Sequence, residues 1–476
     1  MRTGAFLFSA LSLVVGCSEV EVDPQGGGGQ GGSGGSGGQG AGGSDYVPFP
    51  QSCTPSEVRG ACDGESFQKC GNGTLDSCEI CWTVDDGPEQ CDTITEACDL
   101  TPTATCQALG YQSGETICSP ACGHDIRDCD SCLGSPSQLA CARPRLDGFD
   151  VMDIEIATNG DEIAAAWFSF GKVLHFARFT KDLQLIADKP GCGTIDGGGP
   201  ISLAPAPGGW VVAVGGVGES PQMQIIRLDA EGIELGAPRL VANATFPSLV
   251  ARPGATPYLV YSSTAHAASP GDVVAELLDE TGAATWQAVL PNDAFGEITA
   301  AGFADPGLLV ALREAETAST TLLVAIDETG AVSPARDVGL TNEIVLAAAA
   351  PGRVAAVWRR DESQELQWLD GSGEDVGAPV TLAPRDEIVV SQQRAVTVSN
   401  GRAVVMLAED MQKTLTMFHV EQDGSYSVEP YTLATEPQGI AWVAGTQLGG
   451  DPVFAWTTYS AGDPAGDRFV LGSVKR

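Results

Sequence analysis

Residues Gly307–Gly330 read GLLVALREAETASTTLLVAIDETG. Two short apolar runs, LLVAL ending at Leu312 and LLVAID ending at Asp327, flank a polar loop, and the second leads into the turn DETG. In such a turn Asp accepts backbone hydrogen bonds and Gly supplies positive φ, so the segment reads as two strands, a loop and a tight turn. The same unit recurs on both sides. Its first run returns as EIAAAW ending at Trp167, WVVAV at Val214, YLVY at Tyr261, VAAVW at Trp358, VVML at Leu407 and VFAW at Trp456. Successive ends lie 47, 47, 51, 46, 49 and 49 residues apart, and a bulky residue returns to one place in each unit. The turn returns as DAEG (Asp229–Gly232), DETG (Asp279–Gly282), DGSG (Asp370–Gly373) and EQDG (Glu421–Gly424).

Each unit carries four runs: one such as PSLVARPG (Pro247–Gly254), the marked run, a third such as MQIIRLD (Met223–Asp229), then the turn and a fourth. Self-similarity at this period indicates a propeller or a solenoid. Four short strands repeated seven times predict an all-β chain with a seven-bladed β-propeller over residues 142–476. A lone blade exposes both faces of its sheet, and stacking on neighbours buries them. The last unit, ending RFVLGSVKR, lacks a fourth strand. CARPRLDG (Cys141–Gly148) matches the fourth strand GAPRLVAN (Gly236–Asn243) and is expected to complete the final blade. Six blades with a cap, and an open solenoid, are the alternatives. LDETGAATW (Leu278–Trp286) is similar to the blade motif of quinoprotein dehydrogenases, although one residue short. The tryptophan–aspartate repeat signature and the Asp-x-Gly boxes of sialidases do not occur. The resemblance implies a propeller and selects no activity.

Thirteen of the fifteen cysteines lie between Cys53 and Cys141; the others are Cys17 and Cys192. Setting Cys17 aside leaves an even number, as a disulfide framework in an oxidising compartment requires. Residues 51–141 have few large apolar side chains, so a small disulfide-rich module is expected there. Cys78-x2-Cys81 and Cys129-x2-Cys132 also have zinc-pair spacing, but an exported chain with an even count favours disulfides. CGNGTLDSCEICWTVDDGPEQCD (Cys70–Asp92) resembles the cysteine-rich repeats of bacterial surface proteins, with Cys70, Gly71, Asn72, Gly73, Asp76, Glu79 and Cys81 in place. Cys78 stands where those repeats have glycine, and Trp82-Thr83-Val84 is inserted. CQALGYQSGETICSPACGHDIRDC (Cys106–Cys129) resembles the segment that follows such repeats. The resemblance implies an extracellular stalk or spacer without chemistry of its own. Asp85, Asp86 and Asp92 lack the spacing of a calcium loop and read as a solvated acidic loop. Thirteen is odd, so Cys192 is expected to pair with a module cysteine. Cys141 is the best candidate by position, provided the α-carbons come within about 7 Å.

At the amino terminus, Arg2 and the apolar stretch Ala5–Val15, too short to cross a bilayer, lead to Val14-Val15-Gly16-Cys17. This resembles the lipobox of bacterial lipoproteins. The resemblance implies a signal peptide over residues 1–16, and a Cys17 carrying diacylglycerol with further acylation such as palmitate. An ordinary secretory signal that contains a cysteine is the alternative. Residues 17–50 then form a tether, almost only Gly, Ser and Gln from Gly26 to Gly43. Treated as a coil, Pro24 to Pro50 spans roughly 30 Å and extends to about 90 Å. Ser18, where Asp would mark inner-membrane retention, implies a lipid-anchored outer-membrane protein, periplasmic or surface-exposed.

The formal net charge of −37 is spread along the chain and repels nucleic acid and anionic headgroups. His175 and His419 fall in third strands and His266 in a loop, none with a nucleophile or carboxylate at an indicative spacing. No cofactor or metal is expected. In a propeller the loops between second and third strands share a face with those joining blades. PNDAF, LTNE, RRDES and PRDE place Asp293, Asn342, Glu343, Arg359, Arg360, Arg385 and Asp386 there as candidate ligand contacts. The leading reading is a membrane-anchored binding or scaffold lipoprotein that offers this face to a protein or glycan. The alternative is a propeller hydrolase or lyase acting on glycans or peptides, with carboxylates drawn from Asp293, Glu343 and Asp386.

Overall fold

The computed structural model describes residues 154–168, 173–194, 199–216, 221–263, 272–290, 297–313, 320–349, 352–360, 363–384, 394–409, 413–436, 439–458 and 468–474, with short pieces between residues 56 and 142. The strands form seven four-stranded antiparallel blades; the first six run in chain order from inner to outer edge, and the seventh takes its outer strand from the N-terminal region. Blade 1 comprises Ile154–Thr158, Glu162–Phe168, Val173–Thr180 and Leu185–Thr194. Blades 2, 3 and 6 span residues 201–242, 244–290 and 394–435. Blades 4 and 5 share one strand, Arg336–Ala349, which is the outer strand of blade 4 and the inner strand of blade 5. Leu340–Glu343, expected as a loop joining blades, is therefore strand throughout. Blade 7 comprises Ile440–Leu448, Asp451–Thr458 and Arg468–Val474, with Leu139–Ala142 as its outer strand.

The second strands explain why the apolar runs show no alternation. Successive residues of a strand point to opposite faces, and in a propeller both faces meet a neighbour. In Glu162–Phe168, Ala164, Ala166 and Phe168 pack against blade 2, whereas Ile163, Ala165 and Trp167 pack against blade 7. The recurring bulky residue always takes the second orientation. Trp167, Val214, Tyr261, Leu312, Trp358, Leu407 and Trp456 each sit in the core shared with the preceding blade. There are seven such cores, one per interface, so the ring is closed.

The recurring turns join third to fourth strands. The Asp229 carboxylate accepts the amides of Glu231 and Ile233 at 2.9 and 2.8 Å, and Asp279, Asp327 and Asp370 repeat this. In blade 6 Glu421 takes the first position, and Asp423 instead accepts the amide and hydroxyl of Ser425. The turn glycine has φ of +81° at Gly232 and packs on the preceding blade, where a Cβ would lie 2.7 Å from the Phe176 ring. The tip of one blade is thus a contact surface for the last.

Closure uses the N-terminal strand, as the sequence suggests: its described part is Leu139–Ala142, and residues 143–148 of the expected strand lie outside the described residues. It pairs antiparallel with the last strand, Ala142 opposite Leu471 and Leu139 opposite Val474. At the seam the Thr158 hydroxyl of blade 1 donates to the Gln447 carbonyl of blade 7 at 2.5 Å. In the N-terminal region the backbone forms short hairpins, such as Ser56–Arg59 with Phe67–Cys70. Two disulfides are described, Cys106–Cys129 and Cys132–Cys141. The expected Cys141–Cys192 bridge is therefore not made. Cys132 lies nine positions away from Cys141, so closing that loop costs little entropy, whereas Cys192 belongs to the outer strand of blade 1. The side chain of Cys192 lies outside the described residues.

Candidate functional site

In an antiparallel sheet traced in chain order, successive connections alternate ends. Loops between second and third strands and those joining blades therefore share one end of the ring. Asp293, Arg385 and Asp386 lie outside the described residues, as does His266. Asn342 and Glu343 have described backbone only, and Asn342 stands opposite Arg359 in the strand pairing. Arg359 and Arg360 close the second strand of blade 5 rather than lying in a loop. As neighbours on a strand they point to opposite faces, so they do not form one basic site. Arg360 turns to the blade 4 side with Trp358, its guanidinium carbon 5.1 Å from that ring. It donates to the Val338 carbonyl at 3.0 Å and lies 3.6 Å from Glu365. Arg359 takes the blade 6 side, half-buried, and its buried Nε has no hydrogen-bond partner among the described residues.

A constellation not anticipated from the sequence lies between blades 2 and 3. Glu276, in the third strand of blade 3, is 1 % exposed. Arg239, from the outer strand of blade 2, donates to both of its oxygens at 2.8 and 3.0 Å and to the Gly282 carbonyl at 3.1 Å. The Tyr261 hydroxyl donates to Glu276 at 3.1 Å and the Gln287 amide at 3.2 Å. Burial, with the Glu276 charge beside it, pushes the Tyr261 hydroxyl up to about 12. That phenol keeps its proton at neutral pH and acts as a donor, not as an activated nucleophile. The group is a charged clamp between blades. The available signal was Glu276 itself, a lone carboxylate in the apolar strand VVAELL, which requires buried partners.

The same aromatic position finds carboxylates elsewhere. Trp456 donates its indole N–H to the fully buried Glu436 at 2.6 Å, and Trp358 donates to Glu365 at 3.3 Å. In blade 1 the partner is the buried His175, whose ring stacks on Trp167 at 5.2 Å between centroids. A cavity of about 10 Å³ lined by Arg227, Asp279 and Glu280 has room for no more than one water. Among the described residues no three His, Cys, Asp or Glu side chains converge as a metal site.

No protein-family model matches the chain, and no curated protein matches it. Among solved structures it is similar to the subtype N10 neuraminidase-like protein of A/little yellow-shouldered bat/Guatemala, at 10% identity and a TM-score of 0.42, covering 72% of this chain and 99% of that one. It is also similar to BBS1N in its complex with ARL6DN, at 13% identity and a TM-score of 0.44, covering 71% of this chain and 98% of that one.

Proposed function

We propose that this chain is an outer-membrane lipoprotein, anchored through Cys17 and raised on a flexible tether, whose propeller offers one face to a protein or glycan ligand. What supports the binding face most is an asymmetry of connections. At one end, nine residues join Ser263 to Val273, six join Arg313 to Thr320 and nine join Thr458 to Arg468. At the other, two residues join Ala206 to Gly209, Arg252 to Ala255 and Leu448 to Asp451, and the longer third-to-fourth connections, such as the nine residues from Asp229 to Arg239, are turns pinned by their own hydrogen bonds. Longer loops on a rigid scaffold are where binding residues concentrate. The disulfides Cys106–Cys129 and Cys132–Cys141 support an oxidising compartment.

The anchor is tested by Cys17→Ala. The variant is expected to lose lipid labelling and to leave the membrane fraction or retain its signal; unchanged labelling and fractionation refute the anchor. The same unlipidated chain, applied to a glycan array and cross-linked to cell-surface proteins, tests the face. Replacing residues 264–271 and 459–467 with Gly-Ser segments should abolish capture while the thermal transition is kept. Capture that survives both replacements excludes these two loops as the binding surface.

A further inference from the structure

The closing strand Leu139–Ala142 is short and is held to the propeller by pairing with Leu471–Val474. A few residues upstream, Cys132 makes a single antiparallel bridge to Ala434. Ala434 belongs to the outer strand of blade 6, Tyr426–Thr435, and its other edge is already paired with Leu415. Cys132 therefore adds itself to the outer edge of blade 6, while Cys141 occupies the outer strand of blade 7. One covalent bond, Cys132–Cys141, joins the two edges, with α-carbons 6.7 Å apart. Both cysteines are half-buried and pack on the core between blades 6 and 7. The bond thus sits where the ring is completed by a distant piece of chain.

We propose that the Cys132–Cys141 disulfide is a redox-sensitive latch on ring closure. Intact, it holds the closing strand and the outer edge of blade 6 as one unit. A small dithiol opens it by thiol–disulfide exchange. One thiolate attacks one cysteine sulfur, forming a mixed disulfide and releasing the other cysteine as its thiolate. The second thiol then closes the reductant into a ring and releases the attacked cysteine. Two electrons pass from the dithiol to the S–S bond, and its two protons end on Cys132 and Cys141. The strand is then held by its ladder alone. Loss of a cross-link over so short a loop is expected to raise strand opening on the order of 10- to 100-fold.

The test compares amide hydrogen exchange in the oxidised full-length chain and in the double variant Cys132→Ser/Cys141→Ser. Of the amides in Leu139–Ala142 and Leu471–Val474, those that bond across this pair should exchange on the order of 10- to 100-fold faster in the variant, while those of Tyr258–Ser262 in blade 3 keep their protection. Equal protection of the amides across this pair in both proteins, or uniform acceleration through all blades, overturns the latch. Should the variant not fold, the wild-type chain is titrated with dithiothreitol, and alkylated cysteines are mapped alongside exchange. Alkylation of Cys132 and Cys141 should then coincide with exposure of the amides across this pair and with intact protection in blade 3. Alkylation with blade 7 still protected, or only together with global loss of protection, overturns it.

Discussion

Glu276 shows at the scale of one residue how a charge is held inside an apolar ring. Its carboxylate takes donors from Arg239, Tyr261 and Gln287 and so is not left unpaired. Removing one partner of a buried pair costs more than the pair itself contributes, because the remaining charge keeps its desolvation penalty. Arg239 is 30 % exposed, which places the effect at the low end. Arg239→Ala is expected to destabilise the propeller by about 3 kcal/mol, and Tyr261→Phe by about 1.5 kcal/mol, the size of a hydrogen bond to a charged group. Urea unfolding at neutral pH measures both. A loss below about 0.5 kcal/mol for Arg239→Ala would return the pair to the class of surface bridges.

Among the elements, the third-to-fourth turn does two tasks at once. It reverses the chain, and its glycine fits against the preceding blade. Two nearby glycines separate these effects. Gly232 and Gly236 both have positive φ, +81° and +88°, but only at Gly232 does an added Cβ meet a neighbour, the Phe176 ring at 2.7 Å. Gly236→Ala is expected to cost only the left-handed backbone term, about 1–2 kcal/mol. Gly232→Ala adds overpacking between blades and should lose about 1–3 kcal/mol more. Thermal unfolding of the two variants side by side checks this, and equal losses would mean that the tip makes no contact of consequence.

Over the whole molecule the same turns set the response to acid. The Thr281 hydroxyl foremost, with the amides of Ala283 and Thr281, holds the Asp279 carboxyl below its ordinary 3.8, and Thr329 with the amides of Ala331 and Thr329 does so for Asp327. At Asp370 burial opposes ionisation, but the Ser372 hydroxyl and the turn amides outweigh it; Asp423 is lowered chiefly by Ser425. A folded value below the unfolded one means the stabilisation is complete above the unfolded pKa. It is lost as pH falls through the folded value. Protonation also relieves the self-repulsion of a chain with net charge −37, which works the other way. The double variant Asp279→Asn/Asp327→Asn isolates the turns. Its urea midpoint should be lower at pH 7 and should fall less steeply than wild type below pH 3.8. Parallel curves would remove the turn carboxylates from the acid response.

Local chemistry is what the sequence by itself determined. The second strands are continuous apolar runs because both their faces are buried, and the turns are Asp-x-x-Gly because backbone amides need an acceptor and one residue needs positive φ. Both requirements act within a few residues, so blade number and the need for an N-terminal closing strand were legible. Tertiary structure alone decided matters of partner and orientation. LTNE looks like a loop, yet Leu340 pairs with Thr320 and Thr341 with Arg360, and these ladders draw the segment into one strand shared by two blades. Arg359 and Arg360 look like a basic pair, yet strand alternation sends them to different interfaces. Arg239 found Glu276 across 37 residues, because ring packing sets that distance. Such contacts depend on how neighbouring blades meet, which no short stretch of the chain encodes.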